Sequence, residues 1–287
     1  MAHTDILQRF GSSGSHTLSR PDFKVYLWPY DGSSGLQGGV PMIEYYNARG
    51  IGMTRDFHQI SGTTAYVQAS IESGIDFWAA RTEALNIDLW WIDNESSHWS
   101  WNASDASTCI TDTQNAVAWA KARWATHHGS TLYCGAYGGS GGPFGINVGA
   151  SNTAWGNTAQ SLSDKRDAND AINPGVAAAL DFMIPELYAD VNTCAELGGK
   201  LAFLCSEKTR KGITTPMIPV LKSIDSISYT TMRTMLEMCI HREEVNGVIL
   251  WGVNTGISAP SYYDGKAWMQ AALDFVTAYG LTKGTPF

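Results

Sequence analysis

Apolar and polar positions follow two rhythms along this chain. Short runs rich in β-branched and aromatic residues, bounded by Gly, Pro and Asp, predict strands at 23–28, 88–95, 131–137, 181–188, 216–221 and 247–253. Between them, apolar residues recur at three- and four-residue steps, which predicts helices. Val67, Ile71, Ile75 and Trp78 mark one such face, and Ile110, Val117 and Trp124 mark another. For the second of these, Thr111-Asp112-Thr113-Gln114 matches a capping box at the start and Gly129 is a plausible stop. Leu197, Leu201 and Leu204 mark the next helix. Met232, Met235, Leu236, Cys239 and Ile240 mark a further one, and Trp268, Ala272, Phe275, Val276 and Tyr279 the last. The region 36–62 is less regular. Val40 to Tyr46 and Gly50 to Phe57 each read as a short strand interrupted by Gly or Pro.

Regular alternation of helices with nearly continuous apolar strands predicts parallel strands covered by helices. Counting two strands from 36–57 brings the total to about eight. The expected fold is therefore a single α/β domain, a (β/α)8-type TIM barrel over 21–287 with irregular early strands. It follows a flexible, Gly/Ser-rich arm at 1–20. No strand-Gly-x-Gly-x-x-Gly-helix fingerprint supports an open doubly wound sheet.

Composition narrows the function. At 287 residues and 44% hydrophobic, the chain can bury a large core. A formal charge of -8 without a local Lys/Arg run argues against a nucleic-acid partner. The five cysteines (Cys109, Cys134, Cys194, Cys205, Cys239) lack metal-ligand spacing and read as reduced thiols without a disulfide framework. Cys194 and Cys205 fall about three turns apart on one helix. No apolar run reaches the ~20 residues that cross a bilayer, and residues 1–19 do not resemble a secretory signal. No membrane association is expected, and the absent signal leaves a cytoplasmic, phage-particle-borne or otherwise released protein. The Gly138 to Gly145 run lacks the Lys-Ser/Thr of a phosphate loop and reads as a lid, so no cofactor is implied. His127-His128 reads as a helix-dipole partner rather than a metal site.

Candidate chemistry gathers where strands end. In a strand, Leu89, Trp91, Asp93 and Glu95 share a face, which brings two carboxylates together at its C-terminal end. Neighbouring acids do not both ionise cheaply, so one is driven toward the protonated form that a general acid needs. On the 181–188 strand, Ile184, Glu186, Tyr188 and Asp190 alternate onto one face. Trp28, Tyr137 and Trp251 stand near the ends of three further strands and complete the expected substrate-binding set with Glu186 and Asp190. A salt-bridged barrel rim is the structural alternative for this pocket, and a solvated loop starting at Asp93 is the alternative for the first pair of acids. Trp251 either floors a sugar subsite or plugs the barrel, two readings the sequence leaves open. Lys222 and Asp225 read as solvated residues beyond a strand.

Asp93-Asn94-Glu95 resembles the Asp-x-Glu signature of hyaluronidases and the tail of the Asp-x-x-Asp-x-Asp-x-Glu signature of chitinases. Asp88 falls on the first acid of the longer pattern, and Trp91 replaces the second. Gly247-Val248-Ile249-Leu250-Trp251-Gly252 is similar to the last barrel strand of hyaluronidases, and the helix from near Ser228 falls at similar spacing. Leu187-Tyr188 is similar to the sixth-strand tyrosine of both families. The resemblance spans scattered motifs over 88–280. The animal enzymes' disulfides and their Phe-Pro-x-Cys-Tyr-Asn pattern have no counterpart here. The resemblance implies substrate-assisted retaining hydrolysis of an N-acetylhexosamine polysaccharide, an exception to the usual two-carboxylate scheme. Glu95 would be the general acid. Asp93 and Tyr188 would orient the substrate's own acetamido group as it attacks the anomeric carbon.

Other readings compete. Asn94-Glu95 also resembles the fourth-strand ending of cellulase-like barrels, but the strand ending at Lys222 supplies no nucleophilic Glu. A phage-type muramidase could place Asp-x-Glu on such a strand, yet only Asp31 offers the early Asp such enzymes carry. A non-catalytic glycan-binding or assembly protein on a glycosidase fold is the alternative from another class.

Overall fold

The computed structural model describes residues 19–30, 39–58, 66–93, 106–138, 170, 174–187, 194–223, 225–253 and 259–285. The arm expected at 1–20 lies almost wholly outside them, and the lid expected after Gly138 lies outside them entirely. The chain runs β1 (Lys24–Tyr30), α1 (Gly39–Asn47), β2 (Ile51–His58), α2 (Gln68–Ala79), β3 (Leu89–Asp93), α3 (Ala106–His128) and β4 (Cys134–Gly138). It continues through β5 (Phe182–Pro185), α4 (Cys194–Arg210), β6 (Val220–Ser223), α5 (Tyr229–Ile240), β7 (Gly247–Val253) and α6 (Ala267–Tyr279). All strand pairs are parallel, in the order β5-β4-β3-β2-β1-β7-β6.

Bridges Met183–Met217 and Glu186–Val220 join the two edges, with Ile218 N donating to Met183 O (2.9 Å) and Leu187 N to Val220 O (3.0 Å). The result is a TIM-barrel-like α/β fold, as expected, but with seven described strands in the ring rather than eight. The difference lies at 40–46, which is helix instead of strand. Pro41 occupies the first turn, where its missing N–H costs nothing, and Met42, Ile43 and Tyr46 form one buried helical face. Asp93 therefore ends the third strand, not the fourth. A second correction concerns Thr111–Gln114. The helix already begins at Ala106, so this segment lies inside it, and the Asp112 carboxylate accepts from the Tyr66 backbone N–H (2.9 Å).

Register fixes the geometry of the bore. Around the ring, Trp28 pairs with Trp251, Trp251 with Lys222, Val220 with Glu186, Ile184 with Tyr137, Cys134 with Trp90, Leu89 with Thr54, and Ile51 with Val25. Carried once around, these offsets return to β1 eight residues further along. That is the shear of an eight-stranded barrel carried by one strand fewer, so the strands tilt more steeply around a narrower bore.

Two apolar cores follow. One lies between strands and helices. The other fills the bore with Tyr26, Trp28, Leu89, Trp91, Phe182, Ile184, Ile218, Val220 and Ile249. Large inward rings are matched by inward glycines. A Cβ on Gly135 would lie 2.5 Å from the Phe182 ring, and one on Gly52 would lie 2.8 Å from the Tyr26 ring.

The segment after α6 closes the N-terminal end of the bore. Tyr26 Oη donates to Gly284 O (2.5 Å), Lys24 Nζ to Thr282 Oγ1 (3.4 Å), and Lys283 Nζ lies 3.6 Å from Asp88. Burial raises the Asp88 pKa above its ordinary 3.8, against the lowering effect of the Met53 N–H bond and Lys283. Among the described residues no helix is long and apolar enough to cross a membrane, and all five cysteines are free thiols.

Two outcomes are expected. Gly135→Ala should cost about 1–3 kcal/mol by overpacking, and Phe182→Leu should recover part of that loss in chemical denaturation. For Asp88, the folded state holds its proton more tightly than the unfolded state. Its contribution to stability therefore falls as pH rises through and above the ordinary carboxylate value. Relative to the wild type, Asp88→Asn should gain stability as pH is raised from 3 to 7, measured by denaturant titration at each pH.

Candidate functional site

In a parallel barrel every strand delivers its C-terminal end to one mouth. Alternation from the bore core identifies the inward positions there. On β1, Tyr26 and Trp28 point inward, and on β2 Gly52, Thr54 and Asp56 do so. Thr54 Oγ1 donates to Leu89 O (2.9 Å) and Asp56 accepts from the Trp28 indole. Leu89 and Trp91 point inward on β3, which makes position 93 the next inward register position, paired with His58. Glu186, a bridge residue just past β5, continues the line of Phe182 and Ile184; Lys222 on β6 continues that of Ile218 and Val220, and Trp251 follows Ile249 on β7.

Aromatic contacts organise this end. Trp28 meets Trp91 edge-on with ring centroids 4.8 Å apart, and lies 6.0 Å from Trp251 at an interplanar angle of 35°. Only 3% of Trp28 is exposed, so it supports the floor, whereas Trp251 is half-buried. Trp28 Nε1 donates to Asp56 Oδ1 (3.1 Å), which satisfies a buried N–H that would otherwise be costly.

Asp56 is itself buried, and its neighbour Arg55 points through the opposite face of the same strand. Arg55 Nη1 donates to Pro29 O (2.8 Å), its guanidinium lies 4.8 Å from the centre of the Trp78 ring, and its Nε sits 3.9 Å from Asp56 Oδ1. Consecutive residues of β2 thus hold the end of β1 from both sides of the wall. Two buried opposite charges also spare each other the cost of isolation.

The expected site residues divide into three groups. Trp28, Trp251 and Glu186 are brought to the bore's C-terminal half, Glu186 half-buried on the strand that closes the ring. Asp93 and Tyr137 are placed by backbone register alone, at the last position of β3 and opposite Ile184 respectively. Glu95, Tyr188 and Asp190 lie outside the described residues.

Two mouth residues escape a reading of the sequence alone. Lys222, expected to be solvated, is a half-buried member of β6 in register with Trp251, while Asp225 is exposed and paired with Lys266 (2.8 Å), as expected. Asp56 carries the clearer signal. Across 51–57, Ile51, Met53 and Phe57 face the helices with Arg55 as the polar member of that face, and Gly52, Thr54 and Asp56 face the bore.

Elsewhere, His127 bonds Asp76 (2.7 Å) and His128 packs against Trp124. Among the described residues no group of His, Cys, Asp and Glu could hold a metal. A groove of about 700 Å³ runs between the α1–β2 turn and α6, lined by Asn47, Arg49, Leu273 and Asp274, at the opposite end of the barrel from the mouth.

No protein-family profile and no curated protein matches the chain. Among solved structures it is similar to a protein described as a fructose-1,6-biphosphate aldolase from Coccidioides immitis (13% identity, 91% of each chain, TM-score 0.43). It is also similar to methylaspartate ammonia lyase from Citrobacter amalonaticus (10% identity, 89% of this chain and 59% of that one, TM-score 0.38). The catalytic domain of a mannanase from Streptomyces sp. SirexAA-E gives 13% identity over 88% of this chain and 76% of that one, with a TM-score of 0.38. These distant likenesses include one glycoside hydrolase and single out no activity.

Arg55→Met removes both the bond to Pro29 and the counter-charge of Asp56. It should cost about 3–5 kcal/mol in denaturant unfolding, the scale of a broken buried pair.

Proposed function

We propose that the chain is a glycoside hydrolase acting at the C-terminal mouth of the barrel on an N-acetylhexosamine-containing polysaccharide. The observation that carries this reading is the convergence of aromatic and acidic groups on that mouth. Half-buried Trp251 is backed by Trp28, which Trp91 flanks and the buried Asp56 holds by a hydrogen bond, and half-buried Glu186 lies at an inward position two strands away. A sugar ring's apolar face suits an indole, and its hydroxyls suit carboxylate acceptors. The net charge of -8 agrees with a partner that is not nucleic acid.

The resemblance of Asp93-Asn94-Glu95 to the hyaluronidase and chitinase signatures supplies the roles. Glu95 donates its proton to the glycosidic oxygen. The substrate's 2-acetamido oxygen attacks the anomeric carbon as the leaving sugar departs. Asp93 stabilises the positive charge on the cyclic intermediate, and Tyr188 hydrogen-bonds the same group. Water then opens the ring with Glu95 as base, and the anomeric configuration is retained. Two acids one residue apart suit this division, because one stays ionised while the other remains a donor. The backbone of Asp93 at the last inward position of β3 supports the assignment.

The test is a screen against chitin oligomers, hyaluronan, chondroitin and peptidoglycan. Glu95→Gln should abolish cleavage of whichever polymer the wild type turns over while binding is retained, and a thiazoline-type inhibitor should block the wild type. Cleavage that ignores the inhibitor would remove the substrate-assisted mechanism, and no turnover of any of the four would favour a glycan-binding barrel.

A further inference from the structure

Asp56 belongs to none of the sequence motifs above, yet its carboxylate bonds the aromatic floor of the mouth. Its carboxylate is buried, 6% exposed, and accepts from Trp28 Nε1 at 3.1 Å. Trp28 is too buried to present a stacking face, but it lies against Trp251, the half-buried ring of the mouth, at 6.0 Å and 35°, and holds Trp91 at 4.8 Å on its other flank. An indole wedged between two others can slide or flip unless a directional bond fixes it. The Nε1–H bond is that constraint, and a carboxylate acceptor makes it stronger than a neutral one. The carboxylate is anchored in turn, because Arg55 stands 3.9 Å away and is itself tied to Pro29 O, one residue beyond Trp28.

We propose that Asp56 is a positioning residue: through its hydrogen bond to Trp28 it sets the tilt of Trp251, the ring on which a sugar stacks in the mouth. This rests on the glycosidase reading for its substrate, while the coupling of Asp56 to the three indoles stands on geometry alone. The group acts through another side chain, so its loss weakens binding and leaves the bond-breaking groups in place.

The experiment compares Asp56→Leu, Asp56→Asn and Trp28→Phe with the wild type by near-UV circular dichroism and by steady-state kinetics on chitotetraose and on hyaluronan. Far-UV spectra serve as the check of folding. Asp56→Leu should lose the coupled-indole signal in the near-UV and raise KM about tenfold, the effect of one charge-assisted hydrogen bond, with kcat changed by less than about twofold. Trp28→Phe keeps an aromatic ring without the N–H and should raise KM to the same degree, which tests the same bond should Asp56→Leu not fold. Asp56→Asn keeps an oxygen acceptor and should restore most of the near-UV signal and of KM.

The proposal is overturned by a folded Asp56→Leu with unchanged indole signal and KM. A kcat loss at constant KM, which would make Asp56 part of the chemistry, overturns it too. If the wild type cleaves none of chitin oligomers, hyaluronan, chondroitin and peptidoglycan, the glycosidase reading has failed, and the near-UV comparison alone decides the coupling between Asp56 and the indoles.

Discussion

A ring of seven parallel strands carrying a shear of eight leaves a narrow, steeply tilted bore, and filling that bore is the constraint on which the structure depends. Seven strands supply fewer inward positions than eight, and large aromatic side chains fill the narrow space between them. Tyr26, Trp28, Trp91 and Phe182 do this, and the volume they take is returned by glycines on the neighbouring strands. Close packing of this kind tolerates neither a void nor an added methyl. It also leaves the acids and Trp251 at one end, because apolar side chains already occupy the interior below them. The mouth is chemically available for the same reason that the bore is dry.

The end of β1 shows how shell and site are joined. Arg55 and Asp56 are adjacent in sequence and point to opposite sides of the sheet, so one packs among the helices on Trp78 and the other stands among the indoles of the mouth. A strand's alternation thereby couples the outer core to the inner one through a single peptide unit. The backbone at Pro29 is fixed from outside and the ring of Trp28 from inside.

Much of this order is legible in the sequence. The helix at Tyr229–Ile240 buries all the residues its periodicity names, and Gln68–Ala79 buries Ile71, Ile75 and Trp78 with Val67 exposed ahead of its first turn. Ala267–Tyr279 leaves only Tyr279 of its named face half-buried, and the seven described strands lie at expected runs. The helix at Gly39–Asn47 was misread because a short run such as Val40 to Tyr46 fits both periods, and its burial against the β2 side of the barrel decided between them. Asp56 and Lys222 were missed for a different reason. Which face of a barrel strand looks inward depends on the register with its neighbours, and register is a property of pairs that one strand does not display. Trp28 stands in the C-terminal half of the bore, and its burial beneath Trp251 depends on a contact between the first strand and the last.

That contact has a kinetic side. β1 pairs with β7 along its whole length, and Tyr26 bonds Gly284 across 258 residues of chain. The ring cannot close until segments near both ends of the chain meet, so the search carries the loop-closure entropy of most of the polypeptide before the bore core is rewarded. Open intermediates would expose the unpaired edges of β1 and β7 together with the aromatic bore. The short segment Leu281–Thr285 seals the base of the finished barrel, and its bond to Tyr26 is a contact that the chain can make only once β1 is in place.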